Sequence, residues 1–264
     1  ALEHLATVEQ LLDCAIALCI SLSAGKLQLL RERVDLLGEV IHRQGRSPDP
    51  RKCEALRAWP PVTTLKQLQE FLGFVNFIAR HAGPNFHTAM HAIRPYLKPG
   101  AVFPMDEAAL KAVEVVKRLI QEAHTLFKLD EDAARSGERP LEQIVDVSGT
   151  AIGGVLVQMS EDYTSFYPLA YYSEYLSISQ QNWHPFKQEL YGQKKAKACF
   201  RREMGQPPKF AWTDHANLTR LALLPLDRIE PLHFRWFAEL TGDGCELLAI
   251  SGRSQLLAAA DAIS

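Results

Sequence analysis

Four carboxylates in the C-terminal half of the chain stand where acidic residues need a reason. Asp146 interrupts the apolar run Ile144-Val145-Asp146-Val147, Glu189 sits in a long helical pattern, Asp214 ends a short strand pattern, and Asp261 lies in the last predicted helix. A buried carboxylate with no partner is costly, so Asp146 needs either a cation or a strand end that reaches solvent. One such acid decides little, because a strand-edge residue paired with a lysine explains it equally well. Four acids from separate elements are a different matter. Phosphodiester hydrolysis assisted by two Mg²⁺ ions roughly 4 Å apart requires hard oxygen ligands converging from several directions.

Other residues carry weaker signals. Lys194, Lys195, Lys197, Arg201 and Arg202 follow Glu189 along the same helix and either track phosphates or form a solvated face. His87 and His91 have i, i+4 spacing but no third ligand, so a surface pair is favoured over a zinc site. His215 beside Asp214 and His184 near Glu189 read as hydrogen-bonding supports rather than general bases. Trp212, Phe234, Trp236 and Phe237 have core spacing. Gly153-Gly154 suits a tight hairpin.

The elements that must position these residues follow from periodicity. Leu2 to Leu22 has helical apolar spacing, and Lys26 to His42 suits a hairpin ending at Gly38 or Gly45. Ser47-Pro48-Asp49-Pro50 reads as a turn, followed by a short helix from Arg51 to Trp59 and a stop at Pro60-Pro61. Thr64 and Gln67 have capping-box spacing ahead of a helix burying Leu68, Phe71, Leu72 and Val75. A helix capped near Asp106 is expected to turn Leu110, Val113, Val116, Leu119 and Ile120 inward and Lys111, Glu114, Lys117 and Arg118 outward. After a loop over Asp130 to Pro140 come strands at 143–147, 154–159 and 167–173, a helix at 183–202, a strand at 209–213, helices at 216–224 and 231–240, a strand at 246–250 and a helix from Leu256. Three strands followed by alternating helices and strands predict an α/β fold, a mixed sheet with flanking helices, preceded by a mostly helical region.

Bulk properties bound the function. The chain has 264 residues, 47% of them hydrophobic, enough for two domains. Its net charge of −2 is unlike that of most nucleic-acid binders, so local patches must carry any such binding. Five scattered cysteines without C-x-x-C spacing argue against a disulfide framework or thiolate zinc site and for a reducing, intracellular location. No apolar run approaches the roughly 18 residues of a membrane span. The sequence opens on Ala1 in mid-pattern and reads as a piece of a longer protein.

Val145-Asp146-Val147-Ser148, Ile152-Gly153-Gly154-Val155-Leu156, Lys187-Gln188-Glu189-Leu190, Trp212-Thr213-Asp214-His215 and Ala260-Asp261-Ala262-Ile263-Ser264 together resemble the ordered acidic motifs of the RNase H domain of gypsy-type LTR-retrotransposon reverse transcriptases. The upstream half resembles the same polyprotein: Val34 to Val40 the last palm hairpin, Pro48-Asp49-Pro50-Arg51-Lys52 the entry to the thumb, and Trp59-Pro60 with Phe71 to Phe77 the thumb helices. The resemblance implies the end of a palm at 1–46, a thumb-like helical region at 47–100 and an RNase H-like domain at 101–264 with its core at 141–264. It implies Asp146, Glu189, Asp214 and Asp261 as ligands of two Mg²⁺ or Mn²⁺ ions, with endonucleolytic hydrolysis of the RNA strand of RNA–DNA hybrids as the reaction. The implied partners are the hybrid and the remainder of the Pol polyprotein. The polymerase's own Tyr-x-Asp-Asp hairpin is absent, and the family's usual Thr-Asp-Ala-Ser is here Val145-Asp146-Val147-Ser148. Two rival readings keep the fold: a catalytically lapsed module that binds nucleic acid or protein, and a segment active only beside the missing polymerase parts.

Overall fold

The computed structural model describes residues 2–83, 85–123, 125–225 and 229–250. Helix α1 (Leu2–Ala17) leads to the hairpin β1 (Arg33–Leu36) and β2 (Glu39–His42), and β3 (Gly45–Pro48) extends it antiparallel. The hairpin turns at Leu37-Gly38, where φ is 50° and 79°, the two left-handed residues of a type I′ turn. Ser47 and Pro48, expected in a turn, instead finish β3, and the break begins at Asp49. That residue caps α2 (Pro50–Arg57), accepting the Arg51 backbone N–H at 2.9 Å.

The capping box at Thr64 and Gln67 forms as expected and opens α3 (Leu65–Ile78). Short α4 (Asn85–Met90) follows, then α5 (Glu107–Gln121) capped by Asp106. Leu56, Leu68, Phe71, Val75, Ile78, Ile93, Val113, Val116 and Ile120 share one core, so α5 packs with the helices that precede it. Its buried stripe runs through Ala109, Val113, Val116 and Ile120, which corrects two expectations. Leu110 lies at the edge and is 42% exposed. Lys117 is buried; its ammonium reaches Trp59 O at 3.2 Å and Glu114 at 2.9 Å, as a long apolar stem allows. Strand β4 (Leu126–Phe127) joins β3, and α6 (Glu131–Ser136), capped by Asp130, occupies the expected loop.

The second sheet contains β5 (Leu141–Val147), β6 (Ala151–Met159), β7 (Phe166–Tyr175), β8 (Phe210–Thr213) and β9 (Glu246–Ala249) in the order β7-β6-β5-β8-β9. The β5–β6 and β6–β7 pairs are antiparallel; β5–β8 and β8–β9 are parallel. Gly153 and Gly154, expected at a hairpin, lie inside β6, and the turn falls at residues 148–150. The reason is close packing: a Cβ on Gly154 would stand 3.3 Å from Val145 and 3.7 Å from Ala196.

The long helix expected from Trp183 to Arg202 is α8 (Pro185–Met204), opened by the His184 cap and Pro185, and a short helix that was not expected, α7 (Ile178–Gln181), precedes it. Helix α9 (Ala216–Thr219) runs into a 3₁₀ turn at Arg220–Leu223, and α10 (Pro231–Thr241) packs on α8. Helix α8 covers one face of the sheet through Val145, Ile152, Leu156, Ala196 and Phe200. Leu190, Ala211, Leu218, Trp236 and Leu240 extend this core towards α10. Ile144, Val155, Val157 and Ile250 form a separate cluster with Trp212 and Tyr171. The helix expected from Leu256 lies outside the described residues. Among those described, no helix is long and apolar enough to cross a membrane.

Candidate metal centre

Parallel pairing of β5 with β8 matches Ile144 to Trp212. Continuing that register by two residues brings Asp146 alongside Asp214, at the C-terminal ends of neighbouring strands. Helix α8 supplies the third acid from its second turn. Ligand oxygens of Asp146, Glu189 and Asp214 lie within 4.8 Å of one another, with both aspartates exposed and the glutamate buried. Three of the four expected acids are therefore assembled, and Asp261 lies outside the described residues.

The electrostatics are strongly unbalanced. Glu189 is 7% exposed, and its buried Oε2 has no hydrogen-bond partner. Burial first, and then the charges of Asp146 and Asp214, push its carboxyl up to about 8; the Val147 backbone N–H opposes this by donating to it. Three carboxylates so close repel one another unless protons or cations intervene. A buried, unpartnered acceptor beside two solvent-facing carboxylates is a hard-oxygen donor set, and it suits Mg²⁺ or Mn²⁺ far better than a soft metal.

The other sequence candidates separate clearly. Lys197 is buried, its ammonium bonded to Leu240 O and Asp243 at the C-terminal end of α10. It is thus a packing and capping residue, because an ammonium held there cannot face a phosphate. Lys194 pairs with Glu239 at 2.7 Å, Lys195 with Glu174 at 3.1 Å, and Arg201 reaches Asp243 at 3.7 Å. Of these cations Arg201 has the most exposed side chain, 63%. His184 caps α8, its Nδ1 accepting the Phe186 N–H at 3.3 Å. His215 packs on Phe186, ring centroids 6.0 Å apart, and its backbone N–H donates to Thr213 Oγ1 at 3.1 Å.

His87 is only half-exposed rather than a surface residue, its ring edge-on to Tyr175 at 5.5 Å, while His91 is exposed. Trp236 is buried and Trp212 and Phe237 pack against core, but Phe234 is 43% exposed. Gly192, one turn beyond Glu189, carried no weight in the sequence reading. The available signal was a glycine inside a strong helical pattern.

Comparison with known proteins agrees with this architecture. Residues 137–242 match the family described as the RNase H-like domain found in reverse transcriptase. The retrovirus-related Pol polyprotein from transposon opus of Drosophila melanogaster is 28% identical over 250 residues, covering 90% of this chain and 24% of that protein. The transposon Tf2-3 polyprotein of Schizosaccharomyces pombe is 26% identical over 218 residues, 82% of this chain and 16% of that protein. This chain therefore spans about a quarter or less of these relatives.

Among solved structures, a foamy viral protease-reverse transcriptase in complex with RNA/DNA hybrid superposes with a TM-score of 0.71 at 22% identity, covering 96% of this chain and 34% of that one. The same viral protein in complex with dsDNA gives 0.67 at 21%, covering 96% and 52%. These two likenesses are of fold. The C-terminal part of this chain, over residues 137–242, is thus similar to the RNase H-like domain found in reverse transcriptase, and most of the chain aligns with retrotransposon Pol polyproteins.

Proposed function

We propose that this chain is part of a gypsy-type LTR-retrotransposon reverse transcriptase whose C-terminal domain cuts the RNA strand of RNA–DNA hybrids endonucleolytically. The observation that carries the reading is the convergence of Asp146, Glu189 and Asp214 within 4.8 Å around a buried carboxylate oxygen without a partner. In this reading those three residues, with Asp261 as the fourth, hold two Mg²⁺ or Mn²⁺ ions. Such ions activate water and stabilise the leaving oxygen. The chain's own contribution is placement: β5 and β8 hold the two aspartates at adjacent strand ends, and α8 brings Glu189 down from above while shielding it from water.

Preference for the RNA strand rests on contacts to the 2′-hydroxyl and on groove shape rather than base identity. Lys194, Lys195 and above all Arg201 are the cations we assign to the hybrid's phosphates; Lys197 is withdrawn from that set. Residues 1–46 are read as the end of a palm, followed by a thumb-like region. We extend that region from residue 100 to Gln121, because α5 buries its apolar face in the first core. The remainder of an intracellular Pol polyprotein is the second proposed partner.

The test is cleavage of a labelled RNA–DNA hybrid by the purified chain with Mg²⁺ or Mn²⁺, beside an Asp146→Asn control and a double-stranded RNA control. Metal-dependent cutting of the hybrid's RNA strand, lost in Asp146→Asn, is the expected result. Folded wild-type protein that cuts with neither metal would overturn the nuclease reading in favour of a retained scaffold or binding module.

A further inference from the structure

Helix α8 is twenty residues long, and a glycine inside such a helix is a local liability that alanine would remove. At Gly192 the alternative is sterically closed: a Cβ there would stand 2.5 Å from Val147 Cγ2 and 3.4 Å from Ile152 Cγ2. Two features prevent easy relief. Val147 is β-branched and stiff at χ1. Sliding the helix is opposed by the next residue, Gln193, which is fully buried. Its Nε2 donates to Trp212 O at 2.8 Å, while its Oε1 accepts from Gln143 Nε2 at 2.8 Å. Helix α8 is thus pinned over the seam between β5 and β8, the strands that position Asp146 and Asp214.

Gly192 lies one helical turn from Glu189, on the same side of α8, and both are buried. The strand residue that a Cβ would strike, Val147, follows Asp146, and its backbone N–H donates to the Glu189 carboxylate. We propose that Gly192 is a positioning residue: by letting α8 touch Val147, it sets the depth at which Glu189 meets Asp146 and Asp214. The inference rests on the metal-centre reading above for its consequence, but not for its geometry.

The test compares wild type, Gly192→Ala and the double variant Gly192→Ala/Val147→Ala in the full chain. Three properties are read: Mn²⁺ affinity by electron paramagnetic resonance, Val147 amide exchange in metal-free protein by NMR, and thermal melting by circular dichroism. Gly192→Ala is expected to weaken Mn²⁺ binding roughly tenfold or more, as loss of a support behind a metal ligand does, and to speed exchange at Val147. Removing the Val147 γ-methyls in the double variant is expected to restore both, a recovery that a general loss of stability would not give.

Wild-type Mn²⁺ affinity and amide protection in Gly192→Ala would overturn the proposal. So would a folded double variant that stays weak in both. If Gly192→Ala does not fold, the double variant decides alone: recovery of folding, affinity and protection supports the proposal, and failure to recover overturns it. If wild type binds no Mn²⁺, the metal reading falls, and Val147 exchange by itself judges the role of Gly192.

Discussion

Replacing Glu189 by glutamine should stabilise the metal-free protein at alkaline pH and, under the proposed function, abolish metal binding. The side chain is almost completely enclosed, and burial followed by the charges of Asp146 and Asp214 raises its carboxyl from an ordinary 4.5 to about 8. The folded protein therefore holds this proton more tightly than the unfolded chain does. The stabilisation is fully present below pH 4.5 and is lost as pH rises through about 8.

At about 1.4 kcal/mol per tenfold change in proton affinity, the loss across that window is at most about 5 kcal/mol. Glutamine has nearly the same shape, can accept the Val147 N–H through its oxygen, and does not titrate. Urea unfolding of the two proteins in EDTA at pH 5, 7 and 9 isolates the effect, since titrations common to both cancel in the difference. The variant should match wild type at pH 5 and exceed it by roughly 2–5 kcal/mol at pH 9. Millimolar Mg²⁺ should then stabilise wild type alone, through preferential binding to the folded state. A gap that does not change with pH, or a variant less stable than wild type at pH 9, would refute the reasoning.

The two classes of cation on α8 should behave oppositely. Lys197→Ala leaves Asp243 without its buried partner and is expected to cost about 3 kcal/mol by chemical denaturation, with no change in the salt dependence of hybrid binding. Arg201→Ala should leave stability within about 0.5 kcal/mol and lower the slope of log affinity against log salt by about one. In the first core, Thr64→Ala removes the side chain that accepts the Gln67 N–H at 3.3 Å. It should cost about 1 kcal/mol, read as a lower urea midpoint at unchanged m-value.

Much of this molecule was legible wherever local chemistry and long-range packing make the same demand. Thr64 and Gln67 form the capping box that their spacing announces, and Asp106 caps the helix it precedes. Composition also bore on the end of β5, because Asp146 needs either a cation or a strand end that reaches solvent, and it stands exposed one residue before that strand ends. Failures came where packing chose between locally equal options. Nothing near Gly154 distinguishes a hairpin glycine from one pressed against Val145 and Ala196. Lys117 and Lys197 look solvent-facing on a helical wheel, yet each runs its stem inward to backbone carbonyls from distant parts of the chain. Such acceptors are invisible until the chain has folded. Gly192 is the functional counterpart: its significance depends on Val147, forty-five positions away in sequence but in the path of its missing methyl.

The same contacts explain how a chain of net charge −2 fits a proposed role on nucleic acid. Lys194, Lys195, Lys197 and Arg201 do not form a bare basic stripe, since Glu239, Glu174 and Asp243 stand against them. Near the carboxylate cluster the metal-free surface is therefore poorly suited to phosphate, with only partly neutralised cations on the neighbouring helix. Divalent cations change that balance locally: two of them add four positive charges where Asp146, Glu189 and Asp214 converge. Under the proposed function, the ions that equip the site for hydrolysis also supply much of the attraction that draws the phosphate backbone to it. The buried Glu189 then has a physical rationale. A site that is unstable as a bare cluster of anions binds its cations more strongly for that reason, and does so beside the scissile phosphate rather than across the whole protein surface.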